Sequence, residues 1–213
     1  MLQRTFCHIR GIGPKAERKL WDAGIHTWED ALGAESLHLS PTKSDTLRRN
    51  IAESVHHAGK GNADYFAEAL SAAEHWRLFP TFRDRTAYID IETTGLGGPS
   101  DYITTIALYD GTDLRYYLHG ANLDDFARDI EDYDLLISFN GKTFDVPFIR
   151  EYLGAPMHHA HIDLRYVLAS LGFRGGLKNC EKHLGLDRGE LDGIDGFFAV
   201  LLWYDFYNKG NRK

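Results

Sequence analysis

The sequence predicts an α/β domain built on a mixed sheet and flanked by helices, preceded by a small all-α region. Three observations carry this. From Thr86 onward, AYIDIET, YITTIALYD and LRYYLHG are strand-like runs rich in β-branched and aromatic residues, separated by Gly-containing turns. Helix and strand then alternate: NLDDFARDIE reads as helix, DLLISFNG as strand, FDVPFIREYLG as helix, HHAHIDL as a short strand, and the remainder as helical. Ahead of them the chain is mostly helical in character. A meander of three strands followed by alternating helix and strand gives a sheet with both antiparallel and parallel pairs.

The 213 residues suit one domain of ordinary size plus a smaller appendage, with expected limits of 1–80 for the helical region and 81–213 for the α/β domain. Within the first part, TFCHIRGIGPKAERKLWDAGIHTWEDAL (residues 5–32) reads as two short helices joined by a Gly-rich hairpin and followed by the start of a third. Ala16, Leu20 and Ala23 recur at helical spacing, Pro14 suits a first helical turn, Gly24 ends that helix, and Thr27 with Asp30 forms a capping box. HHAGKGN (56–62) breaks two helices, and YFAEALSAAEHW continues as an amphipathic one. Trp76, Leu78 and Phe79 are expected to pack this connector on the main domain.

Composition narrows the function less than the motifs do. Hydrophobic residues make up 43% and charged residues 26%, the balance of a soluble globular protein, and no run approaches the roughly 20 apolar residues that span a bilayer. MLQRTFCHIRGIG lacks the apolar core of a secretory signal, so the expected location is the cytoplasm, with no membrane partner. Cys7 and Cys180 are too few and too isolated for a disulfide framework or a zinc site. The net charge of -7 does not suggest a nucleic-acid partner, but its distribution permits one. Residues 1–85 carry 12 Lys and Arg against 11 Asp and Glu, whereas residues 86–213 carry 12 against 20. A site that holds divalent cations must cluster carboxylates, and the bound metal then supplies positive charge.

Asp90-Ile91-Glu92 carries the first chemical signal. Alternate residues of a strand share a face, so both carboxylates project together while Ile89 and Ile91 face the core. Two adjacent acids on an otherwise apolar strand repel one another unless solvent or a cation relieves them. The Thr93-Thr94-Gly95 turn that follows suits close approach of a ligand to the backbone. The second signal is Asn140-Gly141-Lys142-Thr143-Phe144-Asp145, which places Asp145 at a strand-to-helix junction. A carboxylate there also serves as an ordinary complement to the helix dipole; read with the D-x-E strand, it is the third acid that a dinuclear site needs. Magnesium takes such hard oxygen ligands. Asp163, in HIDL, can reach the same place from the last strand or cap the next helix, and His183 with Asp187 forms an H-x-x-x-D pair.

DIETTGL, followed by FNGKTFDVPFI, resembles the first two exonuclease motifs of the DEDD superfamily, and the N-x-x-x-F-D form is similar to that of family B DNA polymerase proofreading domains. With HIDLRYVL, GGLKNCEKHLGLDR and GIDGFFAVLLWYDFY, the stretch from about residue 74 to 207 resembles the bacterial YprB-type RNase H-like exonuclease domain. The resemblance implies an RNase H-like fold and two divalent ions, Mg²⁺ or Mn²⁺, held by Asp90, Glu92 and Asp145, with Asp163 as a further candidate ligand. It implies metal-dependent 3′–5′ hydrolysis of single-stranded or frayed DNA or RNA to 5′-mononucleotides, with Thr93, Thr94, Gly95, Leu96, Asn140 and Phe144 contacting the terminal nucleotide. The family's fourth carboxylate lies in a late Y-N-x-x-D segment, expected to fall beyond Asn211-Arg212-Lys213; its loss would leave an apolar face open to self-association. Residues 5–32 resemble a helix-hairpin-helix, in which the backbone at Gly11 and Gly13 with Lys15, Arg18 and Lys19 would hold nucleic-acid phosphates. The alternative reading is a non-catalytic nucleic-acid-binding protein with a degenerate RNase H-like site.

Overall fold

In the computed structural model, residues 1–96, 98–187, 189 and 196–209 are described. The helical region comprises a 3₁₀ turn (Leu2–Arg4), α1 (Pro14–Asp22), α2 (Trp28–Gly33), α3 (Pro41–Gly59), α4 (Ala63–Ala69), a 3₁₀ segment (Ala72–Leu78) and α5 (Phe79–Phe82). The sheet follows with β1 (Thr86–Thr93), β2 (Ile103–Tyr109) and β3 (Leu114–Leu118), then α6 (Phe126–Asp129), β4 (Leu135–Ser138), α7 (Asp145–Leu153), β5 (Ala160–Asp163), α8 (Leu164–Ser170), α9 (Leu177–Leu184) and α10 (Gly196–Lys209).

The five strands lie in the order β3-β2-β1-β4-β5. β1 pairs antiparallel with β2 and parallel with β4, so the sheet is mixed, as the alternation of elements predicts. One face buries Ala87, Ile89 and Ile91 of β1 with Ile106, Leu108 and Leu136 under Phe126 of α6 and Ile149 of α7. On the other face, Leu135, Ile137, Ala160 and Ile162 share a core with Phe6, Leu20, Trp28, Phe66, Leu78 and Phe82 from the helical region. The helical region is therefore one layer of the sheet's packing, and residues 1–32 supply core side chains to it. Trp76 and Phe79 pack against this cluster and Leu78 is fully buried in it.

Two helical expectations resolve differently. No helix precedes the Gly11–Gly13 hairpin beyond the 3₁₀ turn at Leu2–Arg4. Thr5 is extended, and Thr5 Oγ1 and the Phe6 amide both donate to the buried Glu17 carboxylate, at 2.6 and 2.7 Å, which draws this stretch along α1 instead of coiling it. The run YFAEALSAAEHW is likewise interrupted, because Leu70 is extended and buried. The Ala67 and Leu70 carbonyls, freed by the break, lie 2.9 and 3.1 Å from Nε2 of His75. The Thr27–Asp30 capping box forms as expected, and no helix among the described residues is long and apolar enough to cross a membrane. On α10, Phe198, Leu201, Leu202, Tyr204 and Tyr207 are exposed.

Candidate active site

β1 is longer than its parallel neighbour. Its pairing with β4 ends at Tyr88 opposite Ile137, and β4 itself ends one residue later at Ser138, so Asp90–Thr93 run on past the end of β4 while remaining paired with β2. The open flank this creates is where the chain leaving β4 turns back into α7. Such a place, outside the carboxyl ends of the strands where parallel and antiparallel connections diverge, is where α/β folds gather ligand groups.

Asp90 and Glu92 share one sheet face and lie opposite Ala107 and Thr105 of β2. Asp90 keeps an open side to solvent while the sheet crowds it from behind, and that crowding raises its carboxyl above the usual range. Glu92 is half-buried and is raised by burial and then by the charge of Asp90. Asp145, the first residue of α7, is 4% exposed. Burial, followed by repulsion from Asp90, raises its carboxyl to about 7, against the lowering influence of the backbone amides of Asp145 and Ile91, with Asp163 adding further repulsion. Its Oδ1 is buried and accepts no hydrogen bond. Asp145 thus lies within electrostatic reach of Asp90 on the D-x-E strand, and an orphaned carboxylate oxygen near a second acid is the kind of donor that a hard divalent cation takes. Among the described residues no three His, Cys, Asp or Glu side chains already stand at metal-holding spacing.

The turn after β1 is tightly tied. The Thr94 amide donates to the Tyr102 carbonyl, the Tyr102 amide donates to Thr94 Oγ1, and Thr93 Oγ1 donates to the Gly95 carbonyl. A Cβ at Gly95 would collide with the Asp101 carboxylate, which accepts the Gly98 amide at 2.6 Å, so a larger residue there would have to displace that side chain from its bond. Leu96, 93% exposed, lines a groove of 590 Å³ together with Phe144, Phe148 and Tyr152 of the α7 side. Leu96 and Phe144, far apart in the sequence, thus share one groove.

Asp163 is placed otherwise than as an open ligand. Its Oδ1 accepts the amides of Asn140 (2.8 Å) and Arg165 (3.0 Å), and its Oδ2 accepts the Lys142 amide (3.1 Å). It therefore caps α8, the second of the two roles open to it in the sequence, and grips the loop leading to Asp145. His183 and Asp187 do not share a helix face, because α9 ends at Gly185 in the left-handed region and both residues are exposed. Asp205 is half-buried on α10. Asn211–Lys213, on which the expectation of a missing fourth carboxylate turns, lies outside the described residues. At the N-terminus, Gly11 adopts φ +85°, and Lys15, Arg18 and Lys19 of α1, beside the hairpin, are all exposed.

Ser138, His161 and His75 were not singled out by sequence reasoning. Ser138 Oγ lies 2.8 Å from His161 Nε2 and accepts the Gly141 amide, while His75 Nδ1 lies 2.8 Å from the His161 carbonyl and 3.1 Å from Lys142 Nζ. The H-x-D spacing of His161 and Asp163 on β5 was the available signal, since both then face the same loop.

The mixed sheet in the order 3-2-1-4-5, with acids at the end of its central strand, is matched by a family model describing the RNase H superfamily over residues 87–213. The chain belongs to the RNase H superfamily. Within it, the sequence is similar to DNA polymerase 1 of Aeropyrum pernix, 36% identical over 107 residues; the match covers 48% of this chain and 10% of the polymerase, so the chain spans about a tenth of that relative's length. The structure is similar to the family B DNA polymerase of Pyrobaculum calidifontis, with a TM-score of 0.44 and 19% identity, covering 59% of this chain and 21% of the polymerase. It is also similar to the EXO domain of Nibbler from Aedes aegypti, with a TM-score of 0.35 and 12% identity, covering 62% of this chain and 81% of that domain.

Proposed function

We propose that this RNase H superfamily protein is a metal-dependent 3′–5′ exonuclease acting on single-stranded or frayed nucleic acid. The observation that supports the reading is the unpartnered, buried Oδ1 of Asp145 together with the repulsion that Asp90 exerts on both Asp145 and Glu92. The similarity of the chain to a DNA polymerase segment supports a nucleic-acid substrate.

Asp90, Glu92 and Asp145 would hold Mg²⁺ or Mn²⁺, which supplies charge neutralisation at the scissile phosphate and a water acidified toward neutral pH. The chain's own residues do the rest. Asp90 raises the cost of ionising both Glu92 and Asp145, and a bound cation would relieve that repulsion. The groove between Leu96 and Phe144 offers apolar walls for a terminal base, and the Thr93–Gly95 turn is fixed by its own hydrogen bonds before substrate arrives. Lys15, Arg18 and Lys19 beside the Gly11–Gly13 hairpin would hold backbone phosphates without reading sequence.

The polarity is tested by comparing 5′- and 3′-labelled single strands incubated with Mn²⁺. Release of label as mononucleotide from the 3′-labelled strand, with progressively shortened 5′-labelled strands, is the expected pattern. Nucleic-acid retention without hydrolysis would instead identify a binding protein.

A further inference from the structure

The loop that carries Asp145 into the site is held from behind at every step. It leaves β4 at Ser138 and turns through Asn140, a non-glycine residue at φ +68°. It then passes Gly141, where a Cβ would strike the Ser138 side chain. A loop so constrained is costly to hold unless its surroundings over-determine it.

The surroundings come from three elements. On β5, Asp163 takes the amides of Asn140 and Lys142 on its two oxygens while also capping α8. Two residues earlier on the same face, His161 meets Ser138 Oγ, which itself accepts the Gly141 amide. The amides of residues 140, 141 and 142 therefore all end on side chains anchored in β4 and β5. From α8, Arg165 donates to Asn140 Oδ1, which also accepts Thr143 Oγ1 at 2.9 Å. From the helical region, His75 Nδ1 lies 2.8 Å from the His161 carbonyl and 3.1 Å from Lys142 Nζ, packing against both. The Gly141 carbonyl then accepts the Val146 amide, at 2.9 Å, and starts α7 with Asp145 facing β1.

We propose that Asp163, with His161 and Ser138, is a positioning residue that fixes the Asn140–Lys142 backbone and thereby the carboxylate of Asp145, and is not itself a metal ligand. The proposal rests on the reading of Asp145 given above. Burying Asp163 at 1% exposure against three amides makes sense for a clamp, because a carboxylate already accepting three charge-assisted hydrogen bonds keeps its geometry whether or not a cation is near. Groups of this kind typically change metal affinity by about 10–100-fold when removed, through the ligand they orient.

The test uses the full chain and two readouts. Amide hydrogen exchange follows Asn140, Gly141 and Lys142, with Ile106 of β2 as a distant reference; Mg²⁺ affinity is measured by titration calorimetry. In Asp163→Asn, whose amide group presents hydrogens to the loop N–H groups, Asn140 and Lys142 are expected to exchange at least about 10-fold faster while Ile106 is unchanged, and Mg²⁺ affinity is expected to fall about 10-fold or more. Ser138→Ala removes the acceptor of Gly141, cannot remove a metal ligand, and is expected to speed Gly141 exchange and weaken Mg²⁺ several-fold; it decides the matter if Asp163→Asn does not fold. Weakened Mg²⁺ binding in Asp163→Asn with unaltered loop exchange would make Asp163 a direct ligand and overturn the proposal, as would loop exchange and affinity that both stay at the wild-type values. If the wild-type chain binds no Mg²⁺, the metal reading of Asp145 fails, and the loop exchange rates alone decide whether Asp163 is the clamp.

Discussion

The guanidinium of Arg77, in the 3₁₀ segment Ala72–Leu78, meets the carboxylate of Glu17 on α1 at 3.0 Å inside the core. Both side chains are at most 9% exposed, and Arg77 also bonds Glu74 and lies over the rings of Trp76 and Trp21, at 5.0 and 5.8 Å. Glu17 in turn holds Thr5 and Phe6. One buried pair thus ties the N-terminal hairpin to the segment that carries His75 against β5.

Removing one partner of such a pair leaves the other buried without its counter-charge. Arg77→Ala is expected to lower unfolding free energy by about 3–5 kcal/mol. Exchanging both residues for apolar ones of similar size should cost far less. Urea denaturation of the single and double variants checks this, and a single variant within about 0.5 kcal/mol of wild type would show that solvent reaches Glu17.

The carboxylates make a prediction about metal. Mn²⁺ should raise the melting temperature by binding the folded state. Asp90→Asn, at an exposed position of β1 whose backbone pairing does not depend on the side chain, should abolish that rise without lowering the metal-free melting temperature, since it also relieves the repulsion on Glu92 and Asp145. An undiminished Mn²⁺ shift in Asp90→Asn would remove Asp90 from the site.

Asp145 makes a prediction about pH. Its folded-state carboxyl sits near 7, well above the unfolded value, so between about pH 4 and 7 the folded metal-free chain binds the extra proton. Stability from this group is therefore lost as pH rises through that window. Asp145→Asn, which cannot ionise, should be more stable than wild type at pH 8 by roughly 2–4 kcal/mol and about equal at pH 4. Denaturant midpoints at the two pH values read the difference; a gain as large at pH 4 as at pH 8 would mean that ionisation is not its source.

Deleting residues 1–32 would remove Phe6, Leu20 and Trp28 from the shared core, so the hairpin has to be tested by charge alone. Replacing the exposed Lys15, Arg18 and Lys19 with Gln should weaken single-strand binding at a stability cost of at most about 1 kcal/mol, from the contact of Arg18 with the Trp21 ring. The salt dependence should flatten by up to about 0.7 for each phosphate that is no longer neutralised. A salt slope equal to wild type would make the hairpin purely structural.

The α/β architecture was legible because the strands and α7 follow strong local signals, runs rich in β-branched and aromatic residues between Gly-containing turns and a strand-to-helix junction at Asp145. The D-x-E face was legible for the same reason, since strand geometry alone decides that Asp90 and Glu92 share a side. What was not legible depends on distant partners. Nothing local shows that Glu17 would draw Thr5 and Phe6 out of a helix, or that the break at Leu70 would be stabilised by His75, five residues on. Asp163 shows the limit within one residue: its capping role follows from the next few residues, but its grip on Asn140 and Lys142 spans more than twenty positions and forms only once β4 and β5 pair.

The proposed function stands on Asp90, Glu92 and Asp145 forming one metal-dependent hydrolytic site. The most direct measurement is the rate of mononucleotide release from a 3′-labelled single strand with Mn²⁺, for the wild-type chain and for Asp145→Asn. Release should require Mn²⁺ and fall by about 10²-fold or more in Asp145→Asn, since a displaced ion and mispositioned water cost at least as much as a missing general base. Hydrolysis that persists at the wild-type rate in Asp145→Asn, or that proceeds equally well with the metal chelated, would contradict it.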